Sequence, residues 1–344
     1  MPVPPAVAAI EASVFPVALV DGSRFELLGI QPGGSWRQLL YWVPAMGIPA
    51  RHYLPLAEAL AAHGVAMVVH EWRGIGSSNR RASRTCNWGY RELLQQDLPA
   101  GMAAVRERWP QAACWLGGHS LGGQLGSLYA SLHPTELAGL VLVASGAPYW
   151  RRFRHGWLIG AAYALAPLLA GLLGHLPGRR IGFGGNEARG VIDDWARTGR
   201  TGRYAAVGMA QDFEQQLASL QLPSLALRLR DDWLGPPASL DWLLGKLGPG
   251  ERSVDVITPQ DLGGPADHFG WMKMPAPIAA RIATWIAAHD TAFTARSDTD
   301  ARFDGRPPAS RWANPTSPDT PMNLFDPFPQ RSLSLRDRLV VSPM

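Results

Sequence analysis

Five successive apolar residues, Val65-Ala66-Met67-Val68-Val69, are followed by His70 and preceded by Gly64. An unbroken run of this length suits a strand covered on both faces, as parallel sheets require. Apolar-rich runs recur at 38–43, 112–116, 137–144 and 224–229, and 253–258 also reads as a strand. Between them the apolar positions change to helical spacing. Leu54, Leu56, Ala57, Leu60 and Ala61 predict a helix over 53–63, stopped by Gly64. Further helices are expected at 90–109, kinked or restarted at Pro99, and at 124–133, 239–247 and 276–289. Near the N-terminus, 14–31 reads as two short strands joined by the turn signal Asp21-Gly22.

Strand and helix alternate from residue 38 to residue 145, the rhythm of a parallel α/β sheet with right-handed crossovers. The rhythm lapses over 146–220, where only helical and loop-like sequence is found, and resumes at 224. An insertion between two strands of such a sheet sits as a cap over its carboxyl edge, where ligands bind. The expected organisation is a core formed by 1–145 and 221–290, a helical cap at 146–220, and a tail at 291–344. The tail holds eight prolines, no Lys and no Glu, and is expected to be largely disordered.

One cap segment stands apart. From Gly156 to Gly178 there is no Asp, Glu, Lys or Arg, while Arg151, Arg152, Arg154, Arg179 and Arg180 flank it. Its length approaches that of a bilayer crossing, but it is solitary, mid-chain and interrupted by Pro167. The favoured expectation is a broken pair of cap helices covering a pocket, and the second reading is a face that dips into a membrane surface. A true span would tear the cap from the sheet.

Composition changes this picture little. The 344 residues are 47% hydrophobic, enough for a large core, and the net charge is +4. The basic residues are scattered arginines, with Lys246 and Lys273 the only lysines, so no nucleic-acid surface is expected. Cys86 and Cys114 make neither a disulfide framework nor a zinc or redox pair. The Met1-Pro2-Val3-Pro4-Pro5 start lacks the basic and apolar regions of a secretory signal, so a cytoplasmic location is expected.

The candidate chemistry centres on Gly118-His119-Ser120-Leu121-Gly122, the G-x-S-x-G pattern of a nucleophile elbow between a strand and a helix. A serine on such a turn needs very small residues two before and two after it, so that the backbones can pass. A serine hydroxyl is a weak nucleophile until a base takes its proton, and the base needs an orienting acid. The order that accompanies an elbow is Ser, then Asp or Glu, then His. His268 is the downstream histidine in a suitable loop, after the 253–258 strand. The acid belongs after the 224–229 strand, where Asp231 and Asp232 are adjacent. Asp232 is preferred because Pro236 follows it by four residues, with Asp231 the alternative. The loop after the 137–144 strand, Ser145-Gly146-Ala147, offers no carboxylate. Two N–H groups are needed for an oxyanion: that of Leu121, and one from the loop after the 38–43 strand. Met46 is the first choice there and Ala45 the alternative. Arg73-Gly74-Ile75-Gly76-Ser77-Ser78 resembles a phosphate loop but lacks the Lys-Ser/Thr of a P-loop. Its expected role is to position the loop beneath the oxyanion segment.

Over about 14–289 the chain resembles α/β-hydrolase-fold proteins. More narrowly, it is similar to bacterial hydrolases near the serine aminopeptidase and lysophospholipase-like branch. The residues that carry the resemblance are Pro44-Ala45-Met46-Gly47 with Tyr53, Glu71-Trp72-Arg73-Gly74-Ile75-Gly76-Ser77, Gly118-His119-Ser120-Leu121-Gly122-Gly123, Asp231-Asp232 and His268-Phe269-Gly270. Two departures are Pro44-Ala45 in place of the usual His-Gly, and Glu71 in place of the usual aspartate. The resemblance implies an α/β-hydrolase fold and a serine hydrolase acting on a small or lipid-like ester or thioester, with no metal or cofactor. The alternatives are acyl transfer by the same residues and a non-catalytic binding module. The expected partner is a small acyl substrate, with peripheral membrane contact through the cap as a second expectation.

Overall fold

The apolar runs all become strands, and their alternation sorts side chains to two faces. The computed structural model describes residues 10–303, with side chains up to residue 290. Strands β1 (Ile10–Ala18) and β2 (Arg24–Pro32) form an antiparallel hairpin, its turn closed by Gly22 N–H on Leu19 O at 3.0 Å. Then come β3 (Gln38–Val43), β4 (Val65–Val69), β5 (Ala113–His119) and β6 (Gly139–Val143). A separate short hairpin of β7 (His175–Pro177) and β8 (Asn186–Ala188) lies in the cap, and β9 (Ser224–Leu229) and β10 (Arg252–Ile257) complete the main sheet. The eight-stranded order is β1-β2-β4-β3-β5-β6-β9-β10. It is parallel from β4 to β10, and antiparallel where β2 meets β1 and β4.

Period-two packing divides β3 between the faces. Leu39, Tyr41 and Val43 enter one core, and Leu40 and Trp42 enter the other. The first core is covered by helices Leu98–Arg108 and Leu121–Leu132, the second by Leu54–Ala62 and the closing helix Ala276–Phe303. Cys114 lies in the first core, where burial pushes its thiol up to about 12. This is the α/β-hydrolase architecture, and it brings the carboxyl ends of β3, β5, β6 and β9 to one edge.

The expected restart at Pro99 is found: Tyr90–Glu92, a π-helical stretch Leu93–Asp97 and Leu98–Arg108 follow one another, with Pro99 in the first turn of the last. Three other local expectations are corrected. The closing helix runs past His289 to Phe303, so the tail's expected irregularity does not begin at 291. Beyond Phe303, the tail lies outside the described residues. The 146–220 segment is not strand-free, since β7 pairs with β8. The apolar cap segment is also unbroken: Gly156–Leu173 is one helix with Pro167 inside it. Pro167 cannot bond the carbonyl four residues back, on Tyr163. Arg200 Nη1 takes that acceptor instead, at 2.8 Å.

Candidate active site

Ser120 stands between β5 and the helix Leu121–Leu132 with φ 53° and ψ −118°, a conformation that L-residues rarely adopt. The glycines around it are steric necessities. A Cβ on Gly118 would lie 2.3 Å from Gly122 C, and one on Gly122 would lie 2.0 Å from Val43 O. The turn is pinned by its neighbour strand. Ser120 N–H donates to Val143 O at 3.2 Å, and Ser145 Oγ donates to Ser120 O at 3.0 Å. Leu121 is the first residue of the helix, a position whose N–H has no acceptor within the helix.

Asp232 follows β9 and His268 follows β10, parallel neighbours in register from Ser224 opposite Arg252. The two loops meet. His268 Nδ1 lies 2.8 Å from Asp232 Oδ2, and both residues are buried. The other carboxylate oxygen, Oδ1, accepts from the N–H groups of Leu234 at 2.8 Å and Gly235 at 2.9 Å. The acid is thereby held in one rotamer, aimed at the imidazole. Asp231 points outward beside Arg230 and contributes only its N–H, which ties the acid loop to Ala266 O at 2.9 Å. Asp267 is spent on the His268 loop, its Oδ1 accepting from Phe269 N–H and Gly270 N–H. Ser120 and His268 line one cavity.

The loop after β3 excludes one candidate donor. Ala45 N–H donates to Tyr53 Oη at 2.9 Å, so Ala45 is not free to hold an oxyanion. Tyr53 Oη in turn lies 2.9 Å from His119 Nδ1, beneath the elbow. Burial keeps the His119 imidazole neutral, with its pKa well below the usual range, and it can therefore accept a hydrogen bond from the tyrosine hydroxyl. Met46 lines the cavity beside Leu121. Trp72 Nε1 donates to Pro44 O and Ala45 O at 3.0 and 3.2 Å, and Glu71 Oε1 accepts from Ala50 N–H at 3.0 Å. Glu71 and Trp72, which lead into the glycine-punctuated 73–78 loop, thus buttress the 44–50 loop. The 73–78 loop's own N–H groups are consumed locally, Gly74 N–H on Ser78 Oγ and Ser78 N–H on Ile75 O. Arg73 anchors it by a bidentate pair to Asp97, with Nη2–Oδ1 at 2.6 Å, and by a second bond to Asp21 at 2.6 Å. Burial alone would raise Asp21, but the Arg73 guanidinium and Ser23 hold it down at about 2.

The cavity has a volume of about 560 Å³, within the range of small-molecule sites. Core residues form its floor, and Phe153, Phe183 and Trp195 of the cap join Trp233 and Phe269 in an aromatic wall. Gln124 also reaches it, buried, with an Oε1 that has no partner among the described residues. The β7–β8 hairpin presses on the 44–50 loop: a Cβ on Gly47, which has φ +78°, would lie 2.1 Å from Gly185 N. Beneath it, burial pushes the Glu187 carboxyl up to about 6, although Gly185 N–H bonds it at 2.9 Å.

Sequence reasoning missed several of these residues. Tyr53 belonged to the resemblance without a role, and Ser145 was considered only as a position lacking a carboxylate. Gln124, Phe183 and Trp195 carried no local signal, because their relevance depends on which loop folds over Ser120.

Comparison with known proteins agrees with this architecture. Residues 34–258 match the serine aminopeptidase, S33 family. Monoglyceride lipase of Rattus norvegicus is 25% identical over 114 residues, which is 33% of this chain and 37% of that protein. The mouse enzyme (Mus musculus) is 24% identical over the same extent, so the match spans little more than a third of the length of these curated relatives. Among solved structures, the esterase domain of a Rhodothermus marinus protein superposes with a TM-score of 0.55 at 15% identity, covering 80% of this chain and 98% of that one. Monoacylglycerol lipase of Paleococcus ferrophilus gives 0.52 at 15% identity, covering 81% and 99%. Haloalkane dehalogenase DatA of Agrobacterium tumefaciens gives 0.53 at 14% identity, covering 81% and 97%. Similarities this distant speak for the fold alone, whereas the family match covers most of the chain from the turn before β3 through β10. The chain therefore belongs to the serine aminopeptidase S33 family of α/β hydrolases.

Proposed function

We propose that the protein is a serine hydrolase that cleaves carboxylic esters with an apolar acyl or alkyl part. The observation that carries this reading is the meeting of Ser120 with His268 in one largely apolar cavity, the imidazole bonded at 2.8 Å to the buried Asp232. Ser120 Oγ attacks the carbonyl carbon while His268 Nε2 takes its proton. Asp232 orients the ring through Nδ1–H and stabilises the imidazolium. The tetrahedral oxyanion is held by the N–H groups of Leu121 and Met46. Collapse expels the alcohol, which leaves with the proton from Nε2. Water, deprotonated by the same nitrogen, then attacks the acyl-enzyme, and the acid is released with Ser120 restored. The aromatic wall favours ester over peptide substrates.

The test is activity-based labelling together with a substrate series. A fluorophosphonate probe is expected to label the protein, and Ser120→Ala to abolish labelling. p-Nitrophenyl esters from acetate to decanoate are expected to show a rise in kcat/KM with chain length. Unchanged labelling of Ser120→Ala would overturn the nucleophile. Faster turnover of an aminoacyl arylamide than of any ester would overturn the bond type. Transfer of the acyl group to added glycerol in preference to water would replace hydrolysis by acyl transfer.

A further inference from the structure

The cap helix Gly156–Leu173 has a mean hydropathy of 1.7, yet only 11% of it is buried within the protein. Its inner side is packed. Tyr163 and Ala170 are buried, and the Tyr163 ring meets Trp195 edge-on at 4.6 Å. Its outer side carries Trp157, Leu165, Leu168 and Leu172 on one stripe, each between 62% and 70% exposed. Helices on a protein surface place charged and polar residues at such positions, and here there are none.

The charged residues that flank this stripe along the chain are of one sign. Arg151, Arg152 and Arg154 stand before the helix, and Arg179 and Arg180 are exposed just beyond it. Arg84 donates to Leu172 O at its C-terminal end. No Asp or Glu occurs anywhere in residues 137–186. Both ends of the face are therefore basic and its centre is apolar. Pairing the face with a second copy, parallel or antiparallel, would set arginines against arginines with no carboxylate from this stretch between them. Spanning a bilayer would strip Tyr163 and Ala170 from their packing. A surface with an apolar interior and an anionic rim fits both parts of the face at once. The face also adjoins the cavity, since Phe153 precedes the helix and Gly182 and Phe183 follow Arg180, and all three line it.

We propose that this face docks the protein, in the plane of the interface, on a bilayer containing anionic phospholipid. The stripe enters the acyl boundary and the arginines meet the phosphates. Docking stands independently of the reaction proposed above. The corollary that the acyl substrate is drawn from that surface past Phe153 and Phe183 rests on it.

Vesicle flotation of the full chain tests the proposal. Vesicles of equal parts phosphatidylcholine and phosphatidylglycerol are expected to carry the protein, and phosphatidylcholine alone to carry much less. Leu165→Gln/Leu168→Gln/Leu172→Gln is expected to abolish binding while turnover of a water-soluble short ester is unchanged, which shows the fold intact. Arg151→Gln/Arg152→Gln/Arg154→Gln is expected to weaken binding to the mixed vesicles about a hundredfold. Ser120→Ala is expected to float as the parent does, so a failed hydrolase reading leaves the docking result standing. Absence of flotation, or equal flotation of the triple glutamine-for-leucine variant, overturns the proposal. So does a dimer that the leucine variant converts to monomer, since the face would then belong to a second copy.

Discussion

Around Ser120 the chain is so close-packed that Gly118 and Gly122 admit no Cβ, and the Ser145 hydroxyl is committed to the turn. Thirty-odd residues later, the cap helix presents Trp157, Leu165, Leu168 and Leu172 to the outside with nothing packed on them. The elbow is built from interactions within a rigid sheet edge, where each polar group has one geometry. The cap helix Gly156–Leu173 is anchored along one side, chiefly on the helix Arg189–Thr201. The difference separates two tasks. The core brings Ser120, Asp232 and His268 together at one sheet edge, and the cap supplies part of the cavity wall around them.

The comparison is most directly broken within the core. Asp232→Asn is expected to lower kcat by about 10⁴-fold, since the imidazole would lose both its orienting acid and the correct tautomer. The adjacent Asp231→Asn is expected to stay within a few-fold of the parent, because its carboxylate is exposed and does not touch His268. Equal losses in the two variants, measured on one ester, would dissolve the distinction between them.

The seam between core and cap titrates. The Glu187 carboxyl is raised to about 6 from its ordinary 4.5 by burial. The folded state thus binds its proton more tightly than the unfolded state does. That stabilisation is fully present below about pH 4.5 and is lost as pH rises through 6, amounting to about 2 kcal/mol. Glu187→Gln keeps an acceptor for Gly185 N–H but cannot ionise. Denaturant melts of parent and variant are expected to converge toward pH 4.5 and to separate in favour of the variant at pH 7.5. A stability difference that does not change with pH would show Glu187 to be ordinary.

The smallest expected effect sharpens the cap's share of specificity. Phe183→Ala opens the aromatic wall without touching Ser120 or His268. It is expected to shift the kcat/KM ratio of octanoate to acetate esters about tenfold, with the acetate rate nearly unchanged. A uniform fall across the series would instead assign Phe183 a structural part in holding the β7–β8 hairpin.

Strands β3, β4 and β9 are legible to the residue, because a short apolar-rich run between turn residues has few other uses. The elbow is legible because its glycines are dictated by contacts four residues apart. For the acid, the spacing to Pro236 favours Asp232 and leaves Asp231 as the alternative. The arrival of the His268 loop from β10 separates them, since it bonds Asp232. The same holds for the oxyanion loop, where Ala45 is eliminated by Tyr53, eight residues away along the chain. The helix through Pro167 defied local reading because its missing hydrogen bond is replaced by Arg200 from another helix.

By itself the sequence determined the alternation that makes the sheet, the strained turn under Ser120, and the order of serine, acid and histidine. These depend on period, on glycine's small size and on the succession of strands, all written along the chain. Only the tertiary structure decided which aspartate meets His268, that Tyr53 takes up the Ala45 N–H, and which cap residues wall the cavity. Those outcomes depend on contacts between segments tens of residues apart, where one side chain's partner is set by the path of another loop.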